Sequence, residues 1–340
     1  MSSALYTELT IVLSTCYDNI NSCILGLLPE KKRGYMGILY FLGGLRTPIL
    51  DTFFALITHF GEETLFIIIG LLFFWCVNKK EGYYLLSVGL LGTVINQFLK
   101  LLFRIPRPWV LDPDFTIVES ARAEATGYSF PSGHTQTSVG VYGGIARWTG
   151  KSVLSALCLA LCVLVPLSRM YLGVHTPADV GVSVVLALVL IFVLHPIVHN
   201  GFDNPTIMRA LLGGMFLLAL GNLAFVSLYP FPADVDADNL AHGIKNAYTM
   251  IGCVLGLLAS YEVDRRYICF ETKGSLRVQA AKLVPGMLLL LGVKSGLKAP
   301  LYALTGGHYF ADAIRYFLVV AFAGCLWPLT FPWFTKKFEK

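Results

Sequence analysis

Ten apolar stretches recur along this chain, at roughly 36–58, 63–78, 83–103, 132–148, 152–172, 178–198, 207–229, 241–261, 279–297 and 312–334. Several approach the roughly 20 residues that a helix needs to cross the hydrocarbon of a bilayer. In lipid every backbone N–H and C=O must find a partner within the chain, which leaves helices and closed β-barrels. A barrel would need short segments of alternating polarity, and the sequence has none. Composition agrees: 56% of the residues are hydrophobic and 14% charged, against about a quarter charged in a soluble domain. The expected fold is all-α, a polytopic membrane helical bundle. Arg46 and Asp51 interrupt the first stretch, which is expected to lie partly along the interface, so about nine spans remain.

Basic residues sort the loops. Lys79/Lys80, Arg147/Lys151, Arg209, Arg265/Arg266/Lys273/Arg277 and Lys336/Lys337/Lys340 fall in every second loop, and that side is expected to be cytoplasmic. The acidic YPFPADVDADN loop and the 104–131 loop then face outward. The net charge of +5 reflects this clustering, and no run of interleaved basic and aromatic residues offers a nucleic-acid surface. The N-terminus lacks a basic region and a cleavage site, and Glu8, Asp18 and Asn19 break its apolar pattern; it reads as an amphipathic interfacial helix. Three sections are expected: an N-terminal interfacial segment (1–60), a helical core (61–200) and a four-span C-terminal extension (201–340). The eight cysteines show no C-x-x-C spacing and most lie in apolar runs, so neither a disulfide framework nor a cysteine metal site is expected, with Cys16 and Cys23 the one pairing left open. The absence of an Asn-x-Ser/Thr acceptor site fits a bacterial inner membrane.

Polar groups at the rims of spans are costly and therefore point to function. Three clusters stand at the expected outer face. In KLLFRIPRP, Lys100 ends a span and Arg107 follows it; snorkelling cations are the plain alternative. In FPSGH, Pro131, Ser132, Gly133 and His134 open a helix whose N-terminus can hold an anion, with turn and capping chemistry as the alternative. In SRMYLGVHTPAD, Thr176, Pro177 and Asp179 have the pattern of a helix start, and Asp179 can also accept from a His175 ring nitrogen.

Taken together, Lys100…Arg107-Pro108, Pro131-Ser132-Gly133-His134 and Ser168-Arg169…His175…Asp179 resemble the three-part signature of the type 2 phosphatidic acid phosphatase (PAP2) superfamily, in order and at the family's spacing. The resemblance covers roughly residues 45–200 and implies a PAP2-like core carrying the C-terminal extension. It implies that His175 is the nucleophile and forms a phosphohistidine, that Asp179 orients it, and that His134 protonates the leaving alcohol and then helps activate water. Lys100, Arg107, Arg169, Ser132 and Gly133 would hold the phosphoryl oxygens. Three fixed cations and a helix end can supply the charge, so neither metal nor other cofactor is expected. The implied substrate is a lipid phosphate or diphosphate: phosphatidate, phosphatidylglycerol phosphate, undecaprenyl diphosphate or a sphingoid-base phosphate. Membrane lipids are the expected partners and nucleic acid is not; the extension could cover the lipid access groove, form a homodimer face or carry another partner.

Alternatives stay open at this point. A soluble phosphate, as in the glucose-6-phosphatase branch, transfer to an alcohol, or a non-catalytic lipid-binding or transport role would use the same cations. Arg104 reads as a rim charge, Arg122 and Glu124 as loop contacts or a mutual surface pair, and Tyr128 and Phe130 as packing. His308 and Asp312 repeat the His175/Asp179 spacing and read as a capping pair.

Overall fold

The computed structural model describes residues 34–339, so the expected N-terminal interfacial helix and the Cys16/Cys23 pair lie outside the described residues. Among the described residues there are helices and turns and no strand. Two short helices, α1 (Gly34–Gly44) and α2 (Pro48–Thr58), come first. Thr47 sets the break between them by accepting from the Leu50 N–H, with Pro48 in the first helical position. At 11 residues each, neither can span a bilayer alone. The polar residues that interrupt this apolar stretch have partners in the core. Arg46 donates to the carbonyls of Thr116 and Tyr171, and the Tyr171 hydroxyl donates to Asp51.

A turn at His59–Gly61 leads into α3 (Glu63–Leu72), which ends in a π-helical turn, Phe73–Val77; the two halves of this bent pair meet at 50°. Asn78 caps the central helix α4 (Lys79–Phe103). After the short α5 (Pro108–Leu111) come α6 (Gly133–Trp148), α7 (Ser152–Tyr171) and α8 (Pro177–Asp203). The extension contains α9 (Pro205–Leu228), α10 (Ala237–Val263), α11 (Leu276–Gly296), α12 (Lys298–Leu304), α13 (Phe310–Ala321) and α14 (Phe331–Phe338).

Among the described residues six helical stretches are long and apolar enough to cross a membrane, or seven with the bent pair Pro48–Gly61 and Glu63–Val77 counted as one span, against the nine expected. The shortfall has a physical reason. α6 is 16 residues long and opens with His134, Thr135, Gln136 and Thr137, while α10 carries His242, Lys245 and Asn246. Both pack on α4 inside the bundle, where polar side chains can face protein instead of lipid.

α4 has α6 and α8 on one side and α9 and α10 on the other. Gly252 and Gly256 of α10 let it meet α13 backbone to backbone: a Cβ at Gly252 would collide with the Ala313 carbonyl oxygen, and one at Gly256 would lie 2.8 Å from Val320 Cβ. At one end of the bundle Trp75 Nε1 donates to the Ala323 carbonyl, tying core to extension, and Trp327 Nε1 donates to the Lys282 carbonyl within the extension. The basic loops gather at this same end, where Lys79 pairs with Asp264 at 2.8 Å and Arg209 with Glu262 at 2.6 Å. The six described cysteines are free thiols. At the opposite end lie the C-termini of α4 and α7 and the N-termini of α6 and α8, which are the four places where the sequence motifs sit.

Candidate active site

That opposite end encloses a cavity of 230 Å³, and Lys100, Arg107, Gly133, His134, Arg169 and His175 all face it. Backbone hydrogen bonds tie the three motifs together: Ser129 N–H to the Ile105 carbonyl, Ser132 N–H to the Asp179 carbonyl, and His175 N–H to the Arg169 carbonyl. The chain leaves α4 through Arg104 in the left-handed conformation (φ 48°), with Pro106 and Pro108 flanking Arg107.

His175 is 2% exposed. Its Nε2 lies 2.9 Å from Arg107 Nη1. A guanidinium can only donate, so Nε2 is the acceptor and the ring proton sits on Nδ1. Nδ1 is 3.5 Å from Asp179 Oδ2 and 3.5 Å from Ser129 Oγ. Asp179 Oδ2 also accepts from the Ser129 hydroxyl (2.5 Å) and the Thr176 N–H (2.7 Å), while Thr176 Oγ1 accepts from the Asp179 N–H at 3.3 Å. This is a capping box at the start of α8. The two readings of Asp179, cap and histidine partner, are therefore one geometry. Burial, then the charges of Arg107, Arg169 and Lys100, push the His175 pKa well below its ordinary 6.5 and keep Nε2 unprotonated.

The cations are held by neutral groups: backbone carbonyls for Arg107 and Lys100, and a hydroxyl for Arg169. Arg107 donates from Nε to the Gly127 carbonyl (3.1 Å), from Nη1 to Val174 (3.0 Å) and from Nη2 to Thr126 (2.7 Å). Lys100 donates to the Tyr128 carbonyl, which leaves two of its three N–H donors for a ligand. Arg169, 1% exposed, donates from Nη1 to Thr58 Oγ1 at 2.6 Å, and its Nε–H has no partner among the described residues. Anchoring by neutral carbonyls and one hydroxyl fixes these charges in place without neutralising them, which suits a site for an anion.

Ser132 does not line the cavity; its buried Oγ accepts from the Thr135 N–H at 3.4 Å and caps α6. That cap aims the first turn of α6, with Gly133 and His134, at the cavity. The His134 Nε2 is buried without a partner among the described residues. Asp179 stands behind His175 and also stays out of the cavity lining.

Several lining residues escaped the motif reading. Thr93, Asn96 and Gln97 precede Lys100 on α4 at helical spacing, so all four form one polar stripe, and that stripe is the signal that could have found them. Gln136 joins them from α6, and α10 of the extension supplies His242 and Asn246. Gly61 lies over His134: a Cβ there would stand 3.0 Å from both His134 Cβ and its carbonyl oxygen and 2.8 Å from Val165 Cγ1. Arg122 pairs with Glu119 at 2.7 Å, so the alternative of a mutual pair with Glu124 is not the one that forms; Glu124 instead lines the cavity, 3.9 Å from His59. Arg104 donates to the Leu101 carbonyl and stands over Phe231, and Tyr128 and Phe130 are buried in packing. His308 Nδ1 accepts from the Phe310 N–H, whereas Asp312 binds Tyr302 and Arg315, so these two do not pair with each other. Two trios among the described residues have metal-ligand proximity, His59/Glu62/Glu124 at the cavity mouth and Glu81/His195/His199, and neither includes His134 or His175.

Comparison with known proteins finds two family profiles. "PAP2 superfamily" matches residues 81–203, a span that contains every motif residue above, and "PAP2 superfamily phosphatase, transmembrane extension" matches 248–337. Phosphatidylglycerophosphatase B of Bacillus subtilis is 30% identical over 175 residues, covering 47% of this chain and 78% of that protein. A probable sphingosine-1-phosphate phosphatase of Dictyostelium discoideum is 30% identical over 178 residues, 48% of this chain and 43% of its own. Undecaprenyl-diphosphatase BcrC of Bacillus subtilis is 30% identical over 148 residues, 42% and 72% of the two chains. The crystal structure of a transmembrane PAP2-type phosphatidylglycerolphosphate phosphatase from Bacillus subtilis aligns at 27% identity and a TM-score of 0.41, over 58% of this chain and 96% of that one.

Proposed function

This chain belongs to the PAP2 superfamily, and on that premise we propose that it is an integral membrane phosphatase cleaving a lipid phosphate or diphosphate at the outer membrane face through a phosphohistidine. The observation that carries the proposal is the 2.9 Å approach of Arg107 Nη1 to the unprotonated His175 Nε2, on the wall of a cavity shared with His134.

In the first step His175 Nε2 attacks phosphorus while the bond from phosphorus to the lipid oxygen breaks. Burial and the charges of Arg169, Arg107 and Lys100 push the His134 pKa well below its ordinary 6.5. Beside the substrate's phosphate anion, which offsets those charges, His134 takes up a proton and gives it to that oxygen, and the lipid leaves as an alcohol or a monophosphate. The positive ring that forms on His175 is stabilised through Nδ1–H by the Asp179 carboxylate behind it. In the second step neutral His134 takes a proton from water as the water oxygen bonds to phosphorus and the P–N bond breaks. Inorganic phosphate leaves, and both rings return to their starting states. Lys100, Arg107, Arg169 and the first turn of α6 hold the phosphoryl oxygens, and Ser132 acts as the cap that aims that turn. Phosphoryl transfer is mostly positioning and charge stabilisation, and these groups supply both.

The outer face is assigned because the basic loops lie at the other end of the bundle. A bacterial inner membrane is the proposed location. Among lipid classes, the relatives' names point to phosphatidylglycerol phosphate, undecaprenyl diphosphate and sphingosine 1-phosphate as the first substrates to try.

The test is phosphate release from a panel of lipid phosphates and glucose 6-phosphate by detergent-solubilised protein in EDTA, comparing wild type with His175→Ala. Wild-type turnover of a lipid phosphate, abolished in the variant, is expected. Turnover that survives in His175→Ala would remove the nucleophile, and a preference for glucose 6-phosphate would remove the lipid.

A further inference from the structure

A second, apolar groove runs down from the phosphate cavity. It has a volume of 130 Å³, and Phe66 and Leu71 of α3, Leu257 of α10, Leu290 of α11 and Val319 of α13 form its walls, all of them buried. Glu63 lines this groove and the phosphate cavity alike, so the groove begins where the cavity ends. Its few polar groups gather toward that junction: Glu63 and Thr64 open α3, and Lys294 stands in the last turn of α11. Apart from Cys253 and Tyr316 the rest of the lining is apolar, and from Glu63 to Leu71 α3 descends about 12 Å. Two lining residues face outward: Leu291 is 48% exposed and Thr64 is exposed. A side opening lets a chain slide in from the bilayer without leaving lipid.

We infer that this groove seats one hydrocarbon chain of the lipid phosphate substrate, and that the C-terminal extension is therefore part of the substrate site. The inference rests on the phosphatase reading given above. Two features select this occupant. Continuity through Glu63 places the bottom of one site against the top of the other, as a headgroup and its own tail would require. The change from charged to apolar lining along that path matches the polarity of a lipid phosphate read from phosphorus downward. The extension contributes to both parts: His242 and Asn246 of α10 to the headgroup cavity, and α10, α11 and α13 to the groove. α4 and α3 of the core form the remaining wall through Leu86, Leu90 and Phe66. Chain selectivity is thus set by residues far from the signature motifs.

The experiment compares kcat/KM for a long-chain lipid phosphate and for a short-chain, water-soluble alkyl phosphate, in wild type, Leu291→Trp and Met287→Trp. Both positions line the groove and neither is fully buried. Filling the groove is expected to lower the long-chain kcat/KM by about tenfold or more and to leave the short-chain value unchanged. Loss of both in parallel, or of neither, overturns the groove while leaving the phosphatase standing. A wild type that hydrolyses neither substrate overturns the phosphatase reading itself. Because a tryptophan variant can misfold, the same question is put to wild type with a lipid phosphate bearing a photoreactive group on its chain. Labelled peptides from α11 and α13 are expected, and labelling confined to α6, α7 and α8 overturns the inference.

Discussion

Replacing Arg107 with lysine keeps the positive charge and removes the planar fork. Arg107 is 7% exposed and makes four contacts from three nitrogens, to the carbonyls of Thr126, Gly127 and Val174 and to His175 Nε2. A lysine ammonium has three donors on one nitrogen, and partners spread around a guanidinium cannot converge on a point. At least two of the four are expected to be lost. An unpaired buried carbonyl costs about 1–3 kcal/mol, so the variant should lose roughly 2–3 kcal/mol after the 126–127 loop relaxes, and melt several degrees lower. Catalysis should suffer more. Removing one preorganised donor from a developing anion costs on the order of 10²–10³ in kcat, and the donor lost here is the one that faces the nucleophile. The assay is kcat and KM on a lipid phosphate, with thermal unfolding in the same detergent. Should Arg107→Lys keep more than about a tenth of the wild-type kcat, charge alone is sufficient and the directional argument is wrong. A melting loss without a kcat loss would reduce Arg107 to a staple for the loop.

Asp179→Asn is expected to lower kcat by on the order of 10²–10⁴, because an amide cannot stabilise the positive His175 ring, and to cost about 1 kcal/mol of helix capping; single-turnover phosphate release checks it, and wild-type turnover refutes it. His175 should titrate below its ordinary 6.5, since burial and the three cations oppose its protonation. The Nε2 lone pair then survives to lower pH than in an ordinary histidine; an NMR histidine titration, assigned with His175→Gln, would contradict this by showing a midpoint at or above 6.5. Gly252→Val drives a side chain into the Ala313 carbonyl and should destabilise the bundle by about 1–3 kcal/mol; an unchanged unfolding temperature in detergent would mean α10 and α13 do not pack backbone to backbone.

The extent to which the site could be read in advance follows the range of each interaction. Thr176, Pro177 and Asp179 announce their helix start because a capping box is made within one turn, and the structure contains it. Ser132 is likewise a local cap, and its hydroxyl is used for that purpose. The α4 stripe of Thr93, Asn96, Gln97 and Lys100 has the right period, yet its meaning depends on what faces it. Arg122 shows the opposite limit: Glu119 and Glu124 are both near in sequence, and only the turn at 119–121 decides for Glu119. The number of spans was overcounted because α6 and α10 owe their place to neighbours that cover their polar faces, which hydropathy does not record.

The order of residues along the chain determined the helical class, the basic end of the bundle and the identity of the cations and histidines that gather opposite it. Each of these follows from local periodicity or from the cost of polar groups in lipid, and both are properties of a segment by itself. Tertiary structure alone decided that Arg107 points at His175 Nε2, that Gly61 lies over His134, and that the extension walls both the headgroup cavity and the apolar groove. Those outcomes depend on which helix faces meet. That is settled by side-chain packing between segments far apart along the chain, as where Glu63 on α3 and Val319 on α13 line one groove, and about such pairings the chain's linear pattern carries no local signal.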